Sequence, residues 1–142
     1  MSKVRLFDGS EYERWLSQAE HTLTSAERDY NAGDHGWACF KAQQAAEFGV
    51  KGLIRGLGLM AFGHSILKLL KDLADAGTTI PDDLSRAGRD LDRHYIPPRY
   101  PDAYPSGSPF EFYHGGTSRE ALDLARRLLE FVKEQARNAQ GS

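Results

Sequence analysis

The sequence predicts an all-α fold, an up-and-down bundle of about five helices with a long Pro/Tyr-rich loop before the last one. Three observations carry this. Five of the six prolines lie between Pro97 and Pro109 and the sixth is Pro81, so residues 10–80 and 110–142 are open to helix. Proline removes a backbone donor and clashes inside a helix, which excludes helix from 97–109. Ala, Leu, Glu, Arg and Gln are plentiful while Val and Ile are scarce, a helix-forming bias. Apolar residues recur at helical spacing, and two Ser/Thr-x-x-Glu capping boxes mark helix starts.

The first helix is expected to begin near Ser10, where Ser10-Glu11-Tyr12-Glu13 fits a capping box. Tyr12, Trp15, Leu16, Ala19, Leu23, Ala26 and Tyr30 form its apolar face, and Asn31-Ala32-Gly33 ends it. Asp34 is the expected cap of a second helix from about His35 to Leu57. Its apolar face reads Trp37, Phe40, Ala45, Phe48, Leu53 and Leu57. A second strip is small: Ala38, Ala42, Ala45, Ala46, Gly49, Gly52 and Gly56. An interior glycine costs about 1 kcal/mol against alanine, so three of them imply a close neighbour. That neighbour is either another helix of the chain or a second copy of it.

A third helix runs from Ser65 to Ala76 with Ile66, Leu67, Leu69, Leu70 and Leu73 inward, and Gly77 stops it. Pro81 and Asp82-Asp83 open a fourth, since proline and acids suit a first turn. It carries Leu84, Ala87, Leu91 and Tyr95. The stretch Ile96–Gly116 is irregular, but its Tyr100, Tyr104, Phe110, Phe112 and Tyr113 argue for order. Thr117-Ser118-Arg119-Glu120 is the second capping box and starts the last helix.

With 142 residues the chain suits one domain, 1–142 with a core about 10–135, able to bury roughly 68–70% of its unfolded surface. One cysteine, Cys39, excludes an internal disulfide and multi-cysteine zinc modules. It reads as a small buried hydrophobe, with a nucleophile as the alternative. No apolar run is long enough for a membrane span, and no secretory h-region begins the chain, so a cytoplasmic protein is expected. A net charge of −2 argues against general nucleic-acid coating but leaves room for a local basic site.

No P-loop, dinucleotide fingerprint, nucleophile elbow or HExxH is present, and the five histidines do not pair at helical spacing, so neither a metal nor a cofactor is expected. One constellation stands out between Arg86 and Tyr104. Arg86, Arg89 and Arg93 share a helix face at i, i+3, i+7, and Arg99 lies just beyond. Guanidiniums grip phosphate bidentately and aromatic rings stack on bases, so these residues form a candidate nucleotide site. The alternative is structural, with Asp90, Asp92 and Asp102 pairing with the arginines on a solvated face. His64 before the third helix serves either the fold or a ligand. Lys41, Glu47 and Lys51 read as a solvated edge of the second helix, from which a lysine could reach a phosphate.

Three stretches together resemble a known family: residues 38–53 (ACFKAQQAAEFGVKGL), Gly63-His64-Ser65-Ile66, and residues 91–102 (LDRHYIPPRYPD). The chain is similar to the HEPN domain family (higher eukaryotes and prokaryotes nucleotide-binding), in its stand-alone prokaryotic branch related to the C-terminal domain of sacsin. The resemblance covers roughly residues 10–135. It implies a helical bundle that forms homodimers and binds a nucleotide or RNA, often beside a minimal nucleotidyltransferase in a toxin–antitoxin pair. It implies nucleotide contacts from Arg93, Tyr95, Arg99, Tyr100, Asp102, Lys51 and His64. Ribonuclease members carry an Arg-x(4–6)-His pair that cleaves RNA without metal, histidine moving protons and arginine stabilising phosphorane charge. Two candidates follow for a catalytic pair. Arg89 and His94 satisfy the spacing literally; residues five apart on a helix point about 140° away from each other, but a helix that ends near Asp92 would let His94 swing back. Arg99 and Tyr104 align with the catalytic region but place tyrosine where histidine stands. A phenol is a weak base at neutral pH, yet it hydrogen-bonds, stacks and can accept a modifying nucleotide. The chain therefore reads as a nucleotide- or RNA-binding protein, with a metal-independent ribonuclease toxin or a helical interaction partner as alternatives.

Overall fold

The structure, a computed structural model, describes residues 6–141. Five helices follow in order: α1 (Gly9–Asn31), α2 (His35–Gly56), α3 (Ile66–Asp75), α4 (Asp82–Asp92) and α5 (Gly115–Gly141). There is no strand among the described residues, in agreement with the all-α prediction. Between α4 and α5 the chain makes two short 3-10 turns, Pro101–Ala103 and Pro109–Phe112.

Local chemistry sets most boundaries. The α1 cap is Asp8 rather than Ser10: its carboxylate accepts the Glu11 backbone N–H at 3.0 Å. The Glu11 carboxylate turns outward to Arg14 at 2.8 Å and the Trp15 indole at 3.0 Å. Gly33, at φ +80, reverses the chain after α1, a conformation that favours glycine. Asp34 precedes α2 as expected but makes no side-chain cap bond. Ser65 caps α3 through the Lys68 N–H at 3.1 Å. The last helix starts at Gly115, ahead of the predicted Thr117. Thr117 and Ser118 lie inside its first turns, where Thr117 contacts His114 and the Ser118 hydroxyl lies 2.7 Å from His35 Nδ1. A capping box does exist nearby, formed by Ser108 and Glu111 on the second 3-10 turn.

The α2 helix is the centre of the bundle and packs against all four other helices. Its core face is the small strip and not the aromatic one: Ala38, Ala42, Ala45, Ala46, Gly49 and Gly52 are buried, whereas Trp37 is 45% exposed and Phe40 and Phe48 are half-buried. A helix touched on several sides must present short side chains for its neighbours to approach. A Cβ added at Gly49 would stand inside the Leu129 side chain of α5, and one at Gly52 would lie 2.8 Å from the Trp15 Cβ of α1. The close neighbours of Gly49 and Gly52 are thus helices of the same chain, while Gly56 faces the Phe7 ring ahead of α1, so all three glycines are used up inside the chain. Around them Leu53, Ile54, Leu69, Leu70, Leu73, Leu91 and Leu128 are buried, each contributing about 1.5–3 kcal/mol. No helix among the described residues is long and apolar enough to cross a membrane.

Candidate functional site

The site is built where the chain leaves α4 and crosses the N-terminal half of α2. Phe40 lies on the outer edge of α2, one turn from Trp37, with ring centroids 6.0 Å apart. After Asp92 the chain makes tight turns, His94 N–H to Leu91 O at 2.8 Å and Tyr95 N–H to Asp92 O at 3.3 Å. This lays Tyr95 beside Phe40, with centroids 6.1 Å apart. The prolines then force a further turn that brings Arg99 back, its Nε donating to the Tyr95 carbonyl at 2.8 Å. The guanidinium lies 4.2 Å from the Phe40 ring centre, 4.7 Å from Tyr95 and 5.1 Å from Tyr100. Contacts of this kind hold a cation by its attraction to the ring faces. Among the described residues Arg99 has no carboxylate partner.

Beside it lies a buried polar hub. Glu47 is 1% exposed, so its reading as a solvated edge is wrong. Its carboxylate accepts Lys51 Nζ at 3.0 Å and Gln44 Nε2 at 3.2 Å, with Gln43 Nε2 at 3.4 Å. His64 Nδ1 lies 3.2 Å from one carboxylate oxygen and 3.3 Å from the other. A buried carboxylate requires such partners to offset lost hydration. Gln43 also donates to the His64 carbonyl at 2.9 Å, fixing the loop before α3. The His64 ring stacks on Tyr95, centroids 4.6 Å apart and planes 16° apart. His64 is thus bonded within the fold, as the first of its two readings has it, and its side chain remains 56% exposed.

His64, Tyr95, Arg93, Ile96 and Pro97 line an open groove of about 370 Å³ together with Ser65 and Asp92. Asp92 does not pair with the arginines. It accepts the Ile66 N–H at 2.8 Å, the Leu67 N–H at 3.1 Å and the Ser65 hydroxyl at 2.9 Å, closing the N-terminus of α3. Arg93 is exposed, 3.8 Å from Asp90.

The remaining candidates fall elsewhere. Arg89 is exposed and lines a separate shallow groove with Arg86, Ser85 and Leu67. His94 instead turns inward against Tyr113, centroids 5.9 Å apart, so the literal Arg89–His94 pair does not meet at one surface. Burial lowers the His94 pKa, and its buried Nδ1 has no hydrogen-bond partner. Tyr104 stacks on Phe112 at 4.4 Å and hydrogen-bonds Tyr113, whose pKa is raised by burial first and by Tyr104 second. Tyr113 borders Gly36, one turn of α2 from Phe40, so His94, Tyr104 and Tyr113 form a second cluster next to the Arg99 box. Tyr100 is about half exposed at the edge of that box, and Asp102 is exposed in the first 3-10 turn. Lys51 is on Glu47, and Lys41 is on Asp29 at 2.8 Å. Cys39 is buried and its thiol is pushed up to about 12 by burial, which makes it inert as a nucleophile at neutral pH. No cluster of three or more metal-ligating side chains occurs among the described residues.

Sequence reasoning missed Glu47, Gln43 and Gln44 as site supports and Asp92 as a cap. The available signal was Glu47-x-x-x-Lys51, an ion-pair spacing set within a run of small residues.

Fold and site together define a small helical-bundle protein with an acid-free arginine held in an aromatic box and a histidine lining the adjoining groove. The HEPN domain model matches residues 12–135, and the chain belongs to the HEPN domain family. Among solved structures, TT1696 from Thermus thermophilus is 48% identical with a TM-score of 0.85, over 87% of this chain and 97% of that one. ST0689, an archaeal HEPN homologue, is 39% identical with a TM-score of 0.76, over 89% and 98%. An HEPN domain protein from Thermotoga maritima is 30% identical with a TM-score of 0.70, over 86% and 96%. No curated protein matches.

Proposed function

We propose that this chain is a cytoplasmic nucleotide- or RNA-binding HEPN protein that acts as a homodimer beside a minimal nucleotidyltransferase in a toxin–antitoxin type system. One observation carries the binding reading. Arg99 is held in place by a carbonyl and three rings, yet no carboxylate among the described residues neutralises it. A guanidinium so placed keeps its outer N–H groups for a phosphate, while the Tyr95–Ile96–Pro97 wall of the groove offers apolar contact for a sugar or base. Titration with ATP by calorimetry tests this. Wild type is expected to give saturable heat, and Arg99→Ala to weaken binding by about tenfold or more, as loss of a charge-assisted contact does. Absence of heat with both ATP and a short RNA leaves the interaction-partner reading instead.

A metal-independent ribonuclease is the second reading, favoured by the unpartnered Nδ1 of His94. Burial keeps this ring neutral at pH 7, so one nitrogen can accept a proton. RNA incubated in EDTA with wild type, Arg89→Ala, His94→Ala, Arg99→Ala and Tyr104→Phe decides it. Cleavage untouched by every substitution rejects these residues as the catalytic set.

A further inference from the structure

The segment between the Arg99 turn and α5 is folded on itself and lightly fastened to the bundle. Its backbone bonds are internal: Ala103 N–H to Tyr100 O at 3.1 Å, Tyr104 N–H to Pro101 O at 3.0 Å and Glu111 N–H to Ser108 O at 3.0 Å. Its side chains pair likewise, with Tyr104 stacked on Phe112 and hydrogen-bonded to Tyr113, and Glu111 closing the Ser108 box. Gly107, at φ +78, turns the chain back so tightly that a Cβ there would lie 2.8 Å from Glu111 Oε2. Among the described residues no hydrogen bond or ion pair joins 101–113 to a helix. Two apolar anchors remain: buried Pro109, on the turn that touches α2, and the Tyr113 ring, which faces Gly36 and His94. A loop packed by its own side chains and so weakly tied keeps its shape when it moves. Tyr100-Pro101 and His114-Gly115-Gly116 flank it, at element ends where hinges absorb a change of backbone direction.

What the segment covers is a second, independent observation. His94 Nδ1 is buried without a partner against the Tyr113 ring, an arrangement that carries the full desolvation cost of that nitrogen. Moving Tyr113 aside lets water or a ligand reach it. We infer that residues 101–113 are a strap that swings as one body away from the start of α2, and that its closed form is an autoinhibitory contact withholding His94 Nδ1. The titratable groups around His94 are Asp90 and Arg93 beside it and Tyr113 from the strap, with Cys39 of α2 near Tyr113. Burial lowers the His94 pKa in the closed form, so opening raises it and acid favours the open form. The strap depends on neither functional reading above.

Nitrogen-15 relaxation dispersion on the full chain at pH 7 tests it. Amides of 101–113, together with Gly36 and His94 across the contact, should share one exchange rate in the μs–ms range and one minor population of at least about 1%. The remainder of the helices should stay quiet. Substitution at Gly36 then shifts the balance. An alanine Cβ fits there, 3.7 Å from the Tyr113 ring and 3.8 Å from the Pro98 carbonyl, whereas the branches of valine have no such room and wedge the strap open. In Gly36→Val the strap resonances should move to the minor-state shifts measured in wild type, and His94 should titrate at higher pH than in wild type. Gly36→Ala should match wild type in both. Should Gly36→Val fail to fold, the wild-type dispersion decides alone. A strap without exchange, or with unrelated rates along its length, overturns the inference. So does a folded Gly36→Val whose strap resonances move elsewhere.

Discussion

Replacing Asp92 with alanine should loosen the hairpin of α3 and α4 more than any other exposed-edge change in the chain. The first turn of α3 has three N–H groups without helical partners. Lys68 donates to the Ser65 hydroxyl, while Ile66 and Leu67 donate to Asp92. The Ile66 N–H belongs to a residue with no exposed surface, and leaving it unpaired costs about 1–3 kcal/mol. The Leu67 N–H is half-buried and regains part of its loss from water. Removing the negative charge at the helix start costs about 0.3–1 kcal/mol more. The sum is about 2–4 kcal/mol, or roughly 6–16 °C in melting temperature for a chain of this length. Urea unfolding followed by circular dichroism measures it. Asp92→Asn keeps an oxygen but loses the charge and should fall between. Asp90→Ala, which removes the 3.8 Å contact to exposed Arg93 and a charge near His94, should stay within about 0.5 kcal/mol at neutral pH. Asp92→Ala within about 0.5 kcal/mol of wild type would refute the capping argument.

Gly52→Ala should destabilise by about 1–3 kcal/mol in urea, although helix propensity alone favours alanine, because the new methyl meets the Trp15 Cβ at 2.8 Å; a gain in stability would contradict the packing. Cys39 should resist a thiol reagent at pH 8 in the native state and react on unfolding. Its raised pKa means that the unfolded chain releases this proton first, so stability should fall as pH rises from about 9 toward 12, and Cys39→Ala should flatten that slope. His94 has the opposite sign: its lowered pKa means the unfolded chain takes up a proton first, so its contribution is lost as pH falls below about 6.5. Thermal melts of wild type and His94→Gln between pH 7.5 and 5 should therefore converge on acidification.

The helices were legible because their signals are local. Proline spacing bounded α4 and the loop, and Ser65 capped α3 as read. The faces of α2 were not legible, since hydrophobicity ranks Trp37 and Phe40 above Ala38 and Gly49. Which of them is buried depends on how many helices surround α2, a property of the whole bundle. Arg99, Tyr95 and His64 could be picked out by type and resemblance. Glu47 could not, because a charged residue on a helix is ordinarily solvated, and the histidine that completes it arrives from the next loop. Asp92 likewise belongs by sequence to an arginine-rich face and by structure to the start of another helix. Arg89 and His94 share a motif spacing, but the end of α4 sends them to different surfaces.

The clasp on Arg99 has a consequence for thermodynamics as well as geometry. A free arginine side chain carries about 2 kcal/mol of rotamer entropy, most of which is given up when it grips an anion. Here the Tyr95 carbonyl and the Phe40, Tyr95 and Tyr100 rings already confine it. That disorder is lost during folding, when the bundle can offset it. An anion arriving at Arg99 meets a donor that has little freedom left to lose.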